Sequence, residues 1–396
     1  MKYELALLEK NGTHAALFCE EKLCEYYPPS EEKVQSGDIY LAKVERIVPG
    51  LDAAFVDLGG EKGFIYAKEV VTVQNTSQAL DIKSLLKVGQ EIMVQVIKEA
   101  LGDKRPTLTM KISMPGEFIV FLPNTNQRSV SRKIDDEKLR ETLQSQLAQM
   151  NLASDTGVIL RTNAAETDLN AWQNDYDRLL VLWQGLAKKP NSRLIYKATD
   201  IAETLLRDVG KDLKMIWTDS AEIYERLRKQ TSISVFLREQ EFILQKFALE
   251  SQLKAAWQKK VPLKSGGYLI IEQTEAMVVI DVNSGNFAAK SGTEETFVKL
   301  NIEAAEEVAR QIRLRNLGGI IIVDFVDMKN PKSREKVELY LTEAVRKDRL
   351  KVHPEGWSAL GLFELTRQKK GLPLAKYIAA DCACCHGADA SFVWPF

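Results

Sequence analysis

Two short apolar runs that each end in an aspartate, separated by one amphipathic stretch of helical length, constrain this chain most. The runs are Val278-Val279-Ile280-Asp281-Val282-Asn283-Ser284-Gly285 and Ile320-Ile321-Ile322-Val323-Asp324-Phe325-Val326-Asp327-Met328. Residues 268–272 and 276–281 read as a hairpin, and 294–315 as a helix with Phe297, Leu300, Ile302, Ala305, Val308 and Ile312 along one side. The uninterrupted run at 320–323 predicts a strand buried on both faces, and a second helix over 333–347 completes an α/β unit. If the two runs are parallel neighbours joined by the helix, Asp281 and Asp324 project from adjacent carboxyl ends, where open α/β sheets place their sites. Two such oxygens suit Mg²⁺, which takes one or two carboxylates, waters and a substrate phosphate and can lower the pKa of a bound water. Asn283 adds a neutral oxygen or positions the phosphate. The competing reading is that these aspartates only begin turns. A nucleophilic triad fits poorly, because His14, His353 and His386 all lie outside nucleophile motifs.

The rest of the chain is modular. Its 396 residues exceed one compact domain, and roughly 150 residues per domain implies two to four units. With 45% hydrophobic and 28% charged residues, disordered, collagen-like and disulfide-scaffold classes are disfavoured. No run approaches the roughly 18 apolar residues of a membrane span, and Met1-Lys2-Tyr3-Glu4 opens no signal pattern, so a cytoplasmic address is expected. A net charge of -1 places any nucleic-acid binding in local basic patches. Residues 1–36 read as two strands paired through Asn11-Gly12. Between 37 and 113 the β-branched and aromatic runs number about five, which suits a small barrel of the OB type. Residues 114–199 read as a compact α+β unit, and 200–260 as mainly helical apart from a short strand at 215–218, a segment that could pack with the N-terminal hairpin if 37–199 are an insertion.

Within the barrel segment, Phe55 and Phe64 occur beside Lys62, Lys68, Lys104 and Arg105. Aromatic faces on which bases stack, with cations along the backbone, suit single-stranded nucleic acid; filling the barrel core is the bland alternative for each Phe. Arg161-Thr162 at a strand end offers a guanidinium fork and a hydroxyl for a phosphate. Arg310, Arg313 and Arg315, with Arg346, Lys347, Arg349 and Lys351, read either as solvated helix ends or as a track for a polyanion. Near the end, Cys382-Ala383-Cys384-Cys385-His386-Gly387 contains a Cys-x-x-Cys turn supplying two thiolates, whereas structural Zn²⁺ wants four ligands. Cys19 and Cys24 lack that spacing, so the same turn from a second subunit is the simplest closure; a redox pair is the alternative.

Taken together, Ala53-Ala54-Phe55-Val56-Asp57-Leu58-Gly59, Arg161-Thr162, Ser265-Gly266-Gly267, Thr274-Glu275-Ala276, the two aspartate runs, Asn301-Ile302-Glu303-Ala304-Ala305 and Arg313-Leu314-Arg315-Asn316-Leu317-Gly318-Gly319 resemble the ribonuclease E/G family. The resemblance keeps the family's motif order over almost the whole chain. It implies an α/β multidomain fold: an RNase H-like subdomain (1–36 and 200–260) interrupted by an OB-fold RNA-binding domain (37–113) and an α+β 5′-sensor (114–199). A DNase I-like catalytic subdomain (261–378) and a zinc-link segment (379–396) follow. It further implies Asp281 and Asp324 as Mg²⁺ ligands, Asn283 as a phosphate-orienting residue, and Phe55, Phe64 and Lys104 as RNA contacts. Gly116, Val120, Arg161 and Thr162 resemble the 5′-monophosphate pocket, and Cys382 and Cys385 the zinc-link cysteines shared between two subunits.

Three departures bear on what the resemblance implies. Lys351 stands where the family's sensor has an arginine, keeping the charge but losing the bidentate fork, so weaker sensing is expected. Ala383 replaces a proline, and Cys384 intrudes on the ligand choice. The chain stops at Phe396, so the compact ribonuclease G-like branch and a homodimer are expected rather than a tetramer built through a further small domain. The implied activity is Mg²⁺-dependent endonucleolytic cleavage of single-stranded RNA in RNA processing and decay, with the barrel clamping the strand and 5′-monophosphate favoured. The alternatives are an RNA-binding regulator or ribosome-assembly factor with little nuclease activity, and a metal hydrolase for another phosphodiester.

Overall fold

The computed structural model describes residues 2–29, 33–71, 81–100, 105–134, 136–186, 193–198, 200–285, 293–380 and 391–396. The chain forms two compact units, one of Ser30–Asp208 and one of Met1–Pro29 with Val209–Phe396. No helix among the described residues is long and apolar enough to cross a membrane.

The first unit begins with a barrel. Strands β1 (Ile39–Val48), β2 (Ala53–Asp57), β3 (Lys62–Tyr66), β4 (Glu91–Lys98) and β5 (Thr107–Thr109) pair in the cyclic order β1-β2-β3-β5-β4, and β4 returns to β1. Closure removes the exposed edges, as expected of an OB-type barrel. Strict alternation drives it: in β3, Gly63 and Ile65 point inward while Lys62, Phe64 and Tyr66 face out. Val44, Val56, Ile65, Val94 and Leu108 meet in the interior, and each such buried aliphatic contributes about 1.5–3 kcal/mol. Gly63 is required there, because a Cβ would lie 2.3 Å from Leu108 Cδ1.

The α+β part carries a four-stranded sheet ordered Arg128–Val130, Thr156–Leu160, Ile119–Pro123, Met114–Pro115. Helices Glu137–Leu147 and Leu169–Leu186 accompany it, and Phe121, Trp172 and Tyr176 fill its core.

In the second unit, strands Ser234–Leu237, Leu213–Thr218, Tyr3–Glu9, Thr13–Cys19 and Lys22–Tyr27 form one sheet in that order. The strand expected at 215–218 is present over Leu213–Thr218, and it pairs in parallel with Tyr3–Glu9 of the N-terminal hairpin. Asn11 and Gly12 make the hairpin turn with positive φ. Two further strands, Lys22–Tyr27 and Ser234–Leu237, form the outer edges of this sheet and are not among those expected from the sequence.

A six-stranded sheet follows, ordered Lys260–Pro262, β6 (Tyr268–Gln273), β7 (Met277–Asn283), β8 (Gly319–Asp324), β10 (Phe363–Arg367) and β9 (Val352–Trp357). β6 and β7 are the expected hairpin, and β7 and β8 are parallel neighbours connected through α1 (Glu294–Leu314). Helix α2 (Pro331–Val345) starts two residues earlier than expected, with Asn330 as its cap and Pro331 at its first position. One face of the sheet packs Val278, Ile280, Val282, Ile321 and Val323 against Leu300, Ala305, Val308 and Ile312 of α1 and Val337 and Leu341 of α2. Phe297 and Ile302 are only half-buried; Val298, Ala304 and Ala309 complete the helix's buried stripe.

The expectation that 320–323 is buried on both faces is incorrect. α1 and α2 cover one side only, so Ile320 is 47% exposed and β8 alternates open and buried positions. The same open face carries Met277, Val279 and Asp281 of β7.

Candidate active site and RNA-binding residues

Asp281 and Asp324 are direct register partners on β7 and β8, both exposed on the open face near the carboxyl ends of the two parallel strands. Asn283, two residues beyond Asp281, shares its side of the pleat, and its Nδ2 donates to Asp281 Oδ2 at 2.6 Å. The amide thus fixes one carboxylate oxygen and leaves the other free. Partial burial, then the charges of Asp281 and Asp327, raise the pKa of Asp324 above its ordinary value. Like charges crowded in this way are relieved by a cation. Among the described residues no group of three or more His, Cys, Asp or Glu side chains is arranged to hold a metal. A pair of carboxylates with open positions suits Mg²⁺, which keeps several waters, better than Zn²⁺.

Two supports hold this edge. Asn301, fully buried on α1, grips the backbone just past Asp324: its Nδ2 donates to Val326 O at 2.7 Å and its Oδ1 accepts from Val326 N at 3.1 Å. On the other side Gly267 lets the chain pass close beneath Asn283, where a Cβ would lie 2.8 Å from Asn283 O. Asp327 and Asn301 also take part, and no sequence pattern marks them, because their relation to the site depends on tertiary placement.

Phe55 and Phe64 lie opposite each other across β2 and β3, half-buried on the outside of the barrel, with ring centroids 5.1 Å apart. They are not part of its core. Arg46 and Arg105 both lie over the Phe55 ring, at 5.2 and 4.8 Å. Lys62 pairs instead with Glu45 at 2.8 Å. Lys104 lies outside the described residues. Tyr66 and Arg46 also belong to this surface; Tyr66 stands two residues from Phe64, the spacing that shares a strand face.

Around Arg161 the structure gathers most of the implied phosphate pocket. Arg161 Nη1 donates to Gly116 O at 2.7 Å, and Nη2 pairs with Asp208 Oδ1 at 2.7 Å. Gly116 has no room for a side chain, because a Cβ would lie 2.3 Å from Oδ2 of buried Asp175, which accepts from Phe118 N and Ile119 N. Val120 is half-buried in the adjoining strand, and exposed Thr162 opens a short 3₁₀ turn immediately after Arg161. Lys351 belongs to the other unit, where it is exposed at the start of β9 and its carbonyl accepts from Gln368 N.

The reading of the basic helix ends as a polyanion track is corrected for four residues. Arg313 and Arg315 are buried, Arg310 pairs with Glu307 and donates to Leu23 O, and Arg349 donates to Glu25 Oε2 at 3.0 Å. These guanidiniums tie the unit together internally.

Cys382, Cys384, Cys385 and His386 lie outside the described residues. The strands Ala379–Ala380 and Ser391–Phe392, on either side of that segment, pair antiparallel. Cys19 and Cys24 are buried free thiols, and burial pushes both up from their ordinary pKa, away from the thiolate form that binds metals.

Residues 113–370 match the ribonuclease E/G family, and residues 33–111 match the S1 RNA binding domain. Ribonuclease G of Escherichia coli (strain K12) is 37% identical over 373 residues, covering 89% of this chain and 76% of that protein. Ribonuclease G of Haemophilus influenzae is 36% identical over the same shares. Ribonuclease E of a Nostoc species is 34% identical over 94% of this chain and 57% of that protein.

Proposed function

The chain belongs to the ribonuclease E/G family and is an endoribonuclease of that type, and from this premise we propose that it cuts single-stranded RNA with Mg²⁺ held at Asp281 and Asp324. What carries the reading is the direct pairing of these two aspartates on adjacent parallel strands, with Asn283 tied to one of them. Bound there, Mg²⁺ would supply a Lewis acid for the phosphoryl oxygens and lower the pKa of an attacking water. The protein's own part is positional. Asp281 and Asp324 place negative charge at one sheet edge, Asn283 orients Asp281 and offers an amide dipole to the attacked phosphate, and Asn301 holds the backbone beyond Asp324. The products would carry 5′-phosphate and 3′-hydroxyl ends.

RNA binding is expected of the S1-type barrel, and the outward Phe55 and Phe64 beside Arg46 and Arg105 suit stacked bases next to phosphates. A regulator without nuclease activity would have no use for the aspartate pair. We place the enzyme in cytoplasmic RNA processing and turnover, including ribosomal RNA maturation. Cleavage of a fluorescent single-stranded oligoribonucleotide in Mg²⁺, lost in EDTA and restored by added Mg²⁺, is the expected result; undiminished cleavage in EDTA would defeat the metal assignment.

Gly116, Val120, Arg161 and Thr162 form the proposed 5′-monophosphate pocket. A charge-assisted hydrogen bond is worth about 1.5–3 kcal/mol, so Arg161→Ala should shrink the preference for 5′-monophosphate over 5′-hydroxyl RNA by about 10- to 100-fold. The comparison is of kcat/KM on the two substrates in wild type and variant. Equal loss on both would make Arg161 a scaffold residue, consistent with its Asp208 pair, rather than a reader of the 5′ end.

Cys382 and Cys385, with the same pair from a second copy, would complete a tetrahedral Zn²⁺ site and a homodimer. Replacing both by Ser should release zinc and move the light-scattering mass toward monomer; an unchanged mass would remove the zinc link from the account.

A further inference from the structure

We propose that Lys260 holds a phosphate flanking the scissile one on the open face of the six-stranded sheet, and that the Tyr268 ring positions its ammonium group there. The inference rests on the reading of Asp281 and Asp324 as the cleavage site and adds a second point of attachment for the RNA strand.

Register places both residues. Lys260 pairs with Ile270, Ile270 with Asp281, and Asp281 with Asp324, so one row of the sheet runs from Lys260 to the two carboxylates. Tyr268 pairs with Asn283 in the next row. Val261 and Leu269, which alternate with them, belong to the core under α1 and α2, so Lys260, Tyr268 and Ile270 share the open face with Asp281 and Asn283. Lys260 is exposed, and its Nζ lies 3.8 Å from the centroid of the half-buried Tyr268 ring. A cation that close to an aromatic face is held by the ring's quadrupole. The ring also borders the end of β7, where a Cβ on Gly285 would lie 3.5 Å from it. At two strand spacings of about 4.8 Å, the Lys260 backbone stands roughly 10 Å from that of Asp281, so the two would meet different phosphates of one strand rather than the same one.

Charge identifies the ligand. Besides Asp281 and Asp324, the open face carries Glu272 and Glu364, and Lys260 is the one Lys or Arg that the six strands present on it. A polyanion laid across this face is repelled everywhere except at a bound metal and at Lys260. The adjacent Lys259 pairs with Glu272 at 2.9 Å, whereas Lys260 has no carboxylate partner among the described residues. A compact ammonium fixed over a ring suits one phosphate oxygen, and a contact to the backbone alone would serve RNA of any sequence.

The test measures kcat/KM for a single-stranded oligoribonucleotide in Mg²⁺, and binding of the same strand in EDTA, for wild type, Lys260→Met, Lys260→Arg, Tyr268→Leu and Tyr268→Phe. Lys260→Met should lower kcat/KM by about 10-fold at low salt and flatten the plot of log affinity against log salt by about 0.7, the value of one phosphate contact on a single strand. Lys260→Arg, which keeps the charge, should recover most of the loss. Tyr268→Leu should cost about 2- to 5-fold and Tyr268→Phe, which keeps the ring, nothing measurable. A neutral methylphosphonate walked along the strand should reveal one position that weakens wild type and leaves Lys260→Met unchanged, a signature that damage to the sheet would not produce. Wild-type kcat/KM and salt dependence in Lys260→Met, or equal losses in both proteins at every methylphosphonate position, would overturn the proposal and leave the aspartate site standing. Failure of wild type itself to cleave in Mg²⁺ would instead overturn the site on which it rests.

Discussion

Asp324→Asn should reduce RNA cleavage by about a thousandfold or more while leaving the protein folded and able to bind RNA. Lewis-acid assistance is worth several kcal/mol of transition-state stabilisation, and each 1.36 kcal/mol is tenfold in rate. The folded state should not suffer. Asp324 has its pKa raised by partial burial and by the charges of Asp281 and Asp327. A carboxyl whose folded pKa lies above its unfolded value opposes folding increasingly as pH rises from the unfolded towards the folded pKa, to the full extent above the latter, and it costs nothing when protonated in both states. At neutral pH the neutral amide removes that repulsion, so the variant's unfolding midpoint should equal or exceed that of metal-free wild type. The same shift sets the acid limb of wild-type activity: cleavage should fall as pH drops through the raised Asp324 pKa. Higher Mg²⁺ should push that fall to lower pH, because proton and cation compete for the same oxygen. Cleavage by purified Asp324→Asn that still depends on Mg²⁺ would sink the assignment, as would an acid limb indifferent to Mg²⁺ concentration.

The catalytic edge was readable because its determinants are local. Asp324 ends its strand and Asp281 lies two residues from the end of its own, each strand is declared by its own apolar residues, and a helix-length connection between two such strands suits a parallel pair. What stayed hidden depended on partners far along the chain. Ile320-Ile321-Ile322-Val323 is apolar at every position, so its pattern cannot say which face is covered; only the placement of α1 and α2 on one side decides it. Lys22–Tyr27 carries Glu25 in its middle, a poor core residue until Arg349 and Arg313 arrive from the other end of the sequence. For the same reason Arg313 and Arg315 read as surface charge, although Arg315 is spent on Gln311 and the carbonyl of Gln258. The barrel's outer row was half legible. Phe55 and Phe64 drew notice as aromatics near cations, but Tyr66 is distinguished only by the exposure that small Ala53 leaves it.

Asn301→Leu should be the most damaging substitution that removes none of the groups proposed to meet metal or RNA. The Asn301 side chain both donates to and accepts from the Val326 backbone, so a leucine of similar bulk leaves a part-buried N–H and a part-buried C=O without that partner. A fully buried group so orphaned costs about 1–3 kcal/mol, so two part-buried ones place the destabilisation at up to about 6 kcal/mol. The loss should be local before it is global: hydrogen exchange of the Val326 amide and of β8 should quicken first, because the connection from Asp324 to Asp327 loses its anchor to α1. A misplaced Asp324 would bind Mg²⁺ poorly, so cleavage by the variant should need more Mg²⁺ for half-maximal rate and recover partly when it is supplied. A purely structural role predicts a different pattern, with less folded protein but an unchanged Mg²⁺ requirement in the fraction that remains. Finding that pattern would confine Asn301 to holding the fold and leave the geometry of the site to β7 and β8 alone.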